Sequence, residues 1–141
     1  MAVNYGAGAA ERTVRTRKMG EKAAICTGIV FAAAGIARPD IIIESFVKPT
    51  EEIVTMAVPA VRMYFISFLA TGMNLLSSTY FQSILKPGRA LLICLMRGIV
   101  LNGFFVMVLP VFFNVNGIWV TMALTEFATL AAGRFMIVEN K

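Results

Sequence analysis

The stretch at residues 63–85 contains 23 residues without a charge, and it limits what the chain can fold into. An α-helix rises about 1.5 Å per residue, so a helix of this length crosses the roughly 30 Å hydrocarbon core of a bilayer. The stretch nevertheless carries serine, threonine, asparagine and glutamine at regular intervals. The pattern predicts a membrane-spanning helix with polar side chains on one side.

The composition supports the membrane assignment. Apolar residues make up 58% of the 141-residue chain and charged residues 15%, whereas soluble domains are roughly 45–50% apolar. A span needs about 20 residues, so a chain of this length holds four spans and not six. The sequence therefore predicts an all-α integral membrane protein with four transmembrane helices, at residues 19–37, 53–85, 90–113 and 118–138.

The first apolar run has an alternative interpretation. Residues 23–37 are too few to span a bilayer, and a basic start followed by a short apolar run is also typical of a signal peptide. Extending the run to Met19, with the Lys22 side chain reaching the interface, gives a genuine span. Because three more apolar segments follow, a genuine span is preferred.

The distribution of basic residues predicts the orientation. Residues 1–22 form a basic segment that carries Arg12, Arg15, Arg17, Lys18 and Lys22. This segment, the 86–89 turn and the C-terminus together hold nine Lys and Arg residues, against Arg38 and Lys48 on the opposite side. Cytoplasmic loops are enriched in such residues. The bias therefore predicts a multi-pass protein of the cell membrane with both termini in the cytoplasm.

The polar residues of the second predicted span fall on one face. With a step of about 100° per residue, they occupy a stripe roughly 80° wide; its members are Ser67, Thr71, Asn74, Ser78 and Gln82. Lipid offers such side chains no hydrogen-bond partner, so the stripe must face other helices or a wet cavity. Both interpretations stay open: contacts that hold helices together, or a substrate or ion pathway.

The third and fourth predicted spans each carry a charged residue at depth, Arg97 and Glu126. Glu126 is about 12 Å into the fourth span and Arg97 about 10 Å into the third, at a rise of 1.5 Å per residue. Charged groups at such depth are costly and usually functional. Because the two depths are compatible in antiparallel spans, a structural ion pair is the preferred interpretation, and a proton-carrying carboxylate is the alternative.

Several classes of function are not supported. The chain has no histidine and no cluster of metal ligands, so neither a metal site nor a Ser/His/Asp triad is predicted, and we expect no enzyme activity. Basic residues border the apolar runs rather than alternating with aromatic residues, which argues against a nucleic-acid partner. Cys26 and Cys94 lie inside apolar runs and are predicted to be buried thiols without a disulfide.

Four short segments resemble one family of transporters. They are the Asn4-Tyr-Gly-Ala-Gly8 segment followed by Glu11-Arg12, the segment Met56-Ala-Val-Pro-Ala-Val-Arg62, the segment Ala90-Leu-Leu-Ile-Cys-Leu-Met-Arg97, and Gly117-Ile-Trp-Val with Ala123-Leu-Thr-Glu126. In order and across nearly the whole chain, they resemble multidrug and toxic compound extrusion (MATE) transporters. The second segment lacks the tyrosine that the family has there.

The resemblance implies a fold and a function. Family members have twelve helices in two six-helix lobes, so this chain looks like the last four helices of the second lobe, with residues 1–22 as the tail of a preceding helix. It implies export of organic cations driven by sodium ions or protons, without a further cofactor. The carboxylate that some sodium-coupled members carry on the tenth helix is best matched by Thr71, which cannot ionise.

Three hypotheses follow for the whole chain. The first is a part of a MATE-like exporter that is inactive without the missing half. The second is an independent four-helix transporter that self-associates, although small multidrug transporters of that kind carry an essential glutamate in their first span and the apolar run at residues 23–37 has none. The third is a non-transporting membrane protein whose polar stripe only joins helices.

Overall fold

The computed structural model describes residues 1–48 and 50–139 of the chain, and those residues are mainly helical. Lys141, one of the nine basic residues assigned to the cytoplasmic side, lies outside the described residues. The helices are α1 Ala2–Gly6, α2 Ala10–Ala37, α3 Pro39–Phe46, α4 Glu51–Ile66, α5 Phe68–Ser83, α6 Pro87–Leu95, α7 Leu101–Phe113 and α8 Val115–Val138, with a π-helical turn at Met96–Val100 between α6 and α7.

Four helical segments are long and apolar enough to cross a membrane. They are Ala10–Ala37, Glu51–Ser83, Pro87–Phe113 and Val115–Val138. The predicted all-α, four-span fold is thereby confirmed. The first segment starts nine residues before residue 19 because the basic stretch contains no proline and continues the helix without a break.

The second span is divided at Ser67 rather than at Pro59. Pro59 lies inside α4, and the change of helix comes where the Ser67 hydroxyl donates to the Tyr64 carbonyl at 2.6 Å. The Thr71 hydroxyl in turn donates to the Ser67 carbonyl at 2.9 Å. Hydroxyl groups that bond back to their own helix bend it locally, so two side chains of the polar stripe shape the backbone of this span.

Helix α3 joins the first two spans. Pro39 stands in its first turn, where proline is tolerated because no helical N–H is lost. Arg38, just before the helix, donates two hydrogen bonds to Asp40 Oδ2, at 3.3 and 3.4 Å. These bonds lower the pKa of the Asp40 carboxyl below its ordinary value.

Helix α5 lies at the centre of the bundle, in contact with α2, α6 and α8. Its contact with α2 is close because α2 presents small residues there. A Cβ atom added at Gly28 would lie 2.6 Å from the Phe68 carbonyl oxygen on α5. The same holds for α4, where a Cβ atom added at Gly35 would overlap the Phe65 ring. Small residues allow membrane helices to approach in this way.

The predicted burial of the two cysteines is wrong. Cys26 and Cys94 are free thiols and both are exposed on the four-span unit. Their apolar neighbours in sequence also point outward, as with Ile25 and Leu95. In a membrane protein an apolar run is not a sign of a buried core, because lipid solvates its outer face.

The close α2–α5 contact predicts opposite effects for two glycine substitutions. Gly28→Ala should lower the free energy of unfolding by about 1–3 kcal/mol, since the new methyl group forces the backbones apart. Gly103→Ala is the control, because no atom lies within 4 Å of its added Cβ, and it should be neutral or stabilising by up to about 1 kcal/mol. Thermal unfolding in detergent measures both. Equal losses in the two variants would contradict the packing described here.

Candidate functional site

The carboxylate of Glu126 is held by side chains from two other spans. Glu126 lies on α8 and is fully buried, with 0% exposure. Arg97 Nε, from the π-helical turn of the third span, donates to Glu126 Oε1 at 2.5 Å. Asn74 Nδ2, from α5, donates to Glu126 Oε2 at 2.7 Å. Each carboxylate oxygen therefore accepts a hydrogen bond from a different helix.

Asn74 makes a second contact with the same residue. Its amide nitrogen also donates to the Glu126 backbone carbonyl at 2.8 Å. That carbonyl belongs to α8 itself, so one amide group fixes both the helix and its side chain. The arrangement joins α5 to α8 in a single register.

The π-helical turn contributes to the position of Arg97. Such turns are rare, contain one wide hydrogen-bonded ring and occur frequently at functional sites. The extra residue changes which side of the helix each following side chain occupies. Arg97 keeps its guanidinium on the side of α8, with 27% of its side chain exposed.

The charges of Arg97 and Glu126 compensate each other inside the apolar region. A buried ion pair recovers the cost of desolvation only with good geometry and further hydrogen bonds. Here the Asn74 amide supplies the further bond. We refer to Asn74, Arg97 and Glu126 as the charge-pair site.

The polar stripe of α5 mainly faces other helices. Ser67, Asn74 and Ser78 are buried at 2%, 1% and 7% exposure, whereas Thr71 is half-buried and Gln82 is exposed. The Ser78 hydroxyl lies 3.5 Å from Cys94 Sγ. Of the five residues in the predicted stripe, Asn74 is the member that belongs to the charge-pair site.

A second polar stripe on α8 was missed in the sequence. Thr121, Thr125 and Thr129 recur every fourth residue and are 3%, 1% and 0% exposed. The Thr125 and Thr129 hydroxyls have no hydrogen-bond partner in the described structure, nor has Asn74 Oδ1. The spacing of the threonines was the available signal. It places them on one face of α8, and Thr125 and Thr129 lie within one turn of Glu126 along the helix.

Thr71 lines a groove between α2 and α5. The groove has a volume of about 360 Å³ and is lined by Ala23, Ala24, Thr27, Gly28, Phe31, Phe68, Thr71, Gly72 and Leu75. Its walls are apolar apart from two threonines, and the Phe31 and Phe68 rings lie 5.5 Å apart. This surface suits an apolar or aromatic occupant better than an ion.

A second ion cluster joins the first and last spans. Glu21 Oε1 accepts from Arg17 Nη1 at 2.7 Å and from Arg134 Nη1 at 3.1 Å. The Arg17 guanidinium also lies 5.2 Å from the centre of the Tyr80 ring on α5. Sequence patterns did not indicate this cluster, because Arg134 is 113 residues from Glu21.

Within residues 1–48 and 50–139, no group of three or more His, Cys, Asp or Glu side chains stands where it would hold a metal ion. The buried charge is compensated by protein groups, namely Arg97 and the Asn74 amide.

Four apolar helices that can each cross a bilayer, joined by buried polar contacts, define an all-helical multi-pass membrane protein. The MatE family model matches residues 1–108, which is about three quarters of the chain. The chain therefore belongs to the MatE family, whose members are multidrug and toxic compound extrusion transporters. No curated protein and no solved structure matches the chain.

The charge-pair site predicts strong coupling between two substitutions. Glu126→Gln or Arg97→Gln alone should lower stability by about 3–5 kcal/mol, since each leaves a buried charge without its partner. The double variant should lose much less than the sum of the two. Unfolding in a denaturing detergent measures the four members of this double-mutant cycle.

The control pair for this cycle is Lys18→Gln with Glu44→Gln. Both residues are exposed, and they stand beyond opposite ends of the apolar part of α2. Distant sites without shared partners are additive to within about 0.5 kcal/mol. Additivity in the Arg97–Glu126 cycle as well would rule out their contact.

Proposed function

We propose that the chain is part of a cation-coupled antiporter that exports organic cations, and that it is inactive without a second, comparable body. The observation that carries this proposal is the match of the MatE family model to residues 1–108, because the members of that family are multidrug and toxic compound extrusion transporters. The proposal that the chain is inactive alone depends on the small amount of polar surface that the bundle leaves uncovered.

The polar stripe supplies at most one wall of a pathway. Ser67, Asn74 and Ser78 are buried against neighbouring helices, and Thr71 lines a groove that is mainly apolar. Alternating access needs two bodies that move against each other around a site near the midplane. A partner half or a second copy of the chain would have to provide the other wall.

Energy coupling also requires a second body. Glu126 is already engaged by Arg97 and Asn74, and Thr71 cannot ionise. We therefore place the group that binds the coupling ion, sodium or proton, on the second body. In this proposal the charge-pair site keeps α5, α8 and the third span in register while that body moves.

Expression of the chain alone provides the functional test. In cells without their own exporters, the chain should insert into the membrane but give no efflux of a fluorescent organic cation above the empty-vector level. Glu126→Gln is compared with Glu44→Gln, which makes the same change at an exposed carboxylate on α3. Efflux that is lost with Glu126→Gln and kept with Glu44→Gln would contradict the proposal and favour an independent, self-associating four-helix transporter.

The proposed orientation places both termini in the cytoplasm. The reason is the excess of Lys and Arg on the side that holds the N-terminus and the 86–89 turn. Reporter fusions after Lys48 and after Lys141 should then report opposite sides of the cell membrane. Reporters found on the same side would rule out this topology.

A further inference from the structure

The first half of α2 carries four exposed basic side chains that point away from the bundle. On the 100° step of a helix, and with Arg12 at zero, Arg15, Lys18 and Lys22 lie at about 300°, 240° and 280°. The buried residues Thr13 and Arg17 lie on the opposite side, at about 100° and 140° on the same scale. We call the arc of Arg12, Arg15, Lys18 and Lys22 the basic arc.

The orientation of the basic arc is fixed by contacts on the other side of the helix. Arg17 is 7% exposed, binds Glu21 and packs against the Tyr80 ring. Glu21 is also bound by Arg134. These contacts engage Glu21, which is the acidic residue of the basic segment 1–22 that lies nearest the membrane. They also prevent α2 from turning its basic residues inward.

The four cations of the basic arc have no acidic partner in the described part of the chain. Glu11 shares their side of the helix but lies at its far N-terminal end. The arc therefore presents an excess of positive charge to whatever surrounds the bundle.

The length of α2 determines what surrounds the basic arc. A helix of 28 residues is about 42 Å long, and the hydrocarbon core takes up about 30 Å of it. If Ala37 marks one edge of the core, about 12 Å of helix extends past the other edge. Arg12 and Arg15 then lie at the level of the lipid headgroups and Lys18 at the boundary of the core. Lys22 lies roughly 7–8 Å inside the core, and its long side chain can reach back to the boundary.

The same side of the helix becomes apolar further along. Ile25 and Ile29 follow the basic arc at about 220° and 260° on the same scale, and they are 45% and 53% exposed. A surface that changes from cationic to apolar along one helix face matches an amphiphile with an anionic head and acyl chains. A soluble polyanion would leave the apolar part unused.

We propose that this face of α2 binds anionic phospholipid, with the basic arc on the headgroup phosphates and Ile25 and Ile29 against the acyl chains. Clusters of Lys and Arg at a membrane edge attract anionic lipid, each charge strengthening binding by about fivefold. Binding would hold the first span at a defined depth. The proposal depends on insertion of the chain in a membrane and not on its transport activity.

The test uses the purified full chain in detergent and native mass spectrometry with two lipids of identical acyl chains, phosphatidylglycerol and phosphatidylcholine. The unsubstituted chain should bind phosphatidylglycerol more tightly by about fivefold for each engaged charge. Arg15→Gln with Lys18→Gln should weaken phosphatidylglycerol binding by at least about fivefold and leave phosphatidylcholine binding unchanged.

The control is Lys48→Gln with Arg62→Gln, which removes the same charge at exposed positions outside α2. This variant should bind phosphatidylglycerol as tightly as the unsubstituted chain does. Equal weakening in both double variants would overturn the proposal, because net charge alone would then explain binding. Equal affinity of the unsubstituted chain for the two lipids would also overturn it. Circular dichroism confirms that each variant stays folded.

Discussion

A carboxylate inside the apolar region of a membrane protein must be compensated by other protein groups, and the packing of three spans follows from this need. Glu126 meets Arg97 on one oxygen and Asn74 on the other. Water provides no substitute there, so the partners must come from neighbouring helices. The Asn74 amide also donates to the Glu126 backbone carbonyl. One side chain therefore binds the carboxylate and fixes the register of α5 against α8. Exposed apolar side chains elsewhere face lipid and impose no such register.

Close backbone contact provides the second fixed relation in the bundle. Gly28 and Gly35 bring α2 against the second span at distances where a methyl group would overlap its neighbour. Apolar surface gives little preference for one helix arrangement over another in lipid, because lipid tails are equally apolar. Shape complementarity therefore determines where α2 lies, and polar contacts determine where α8 lies. The two mechanisms meet on α5, which both helices contact.

The sequence predicted the number and type of spans because apolar length is a local property that one segment carries alone. Counting residues from the ends of their spans also placed Arg97 and Glu126 at similar depths. The break at Ser67 was not predicted, because a hydroxyl bonded to its own helix leaves no mark in composition. The burial of Cys94 was predicted wrongly, because an apolar segment of a membrane protein can face lipid instead of the protein core. The cluster around Glu21 depends on partners far apart in sequence, which periodicity cannot connect.

The sequence distance between partners also affects how the protein is made. Asn74 is 52 residues ahead of Glu126, and Glu21 is 113 residues ahead of Arg134. At a synthesis rate of about 5–20 residues per second, Asn74 waits roughly 3–10 seconds for its partner. During that interval the Asn74 amide, and for the last 29 residues of it the Arg97 guanidinium, lack the carboxylate that they bind. The fourth span thus completes the contacts of the earlier ones, and a delay before its synthesis prolongs the period in which Asn74, Arg97 and Glu21 lack their partners on α8.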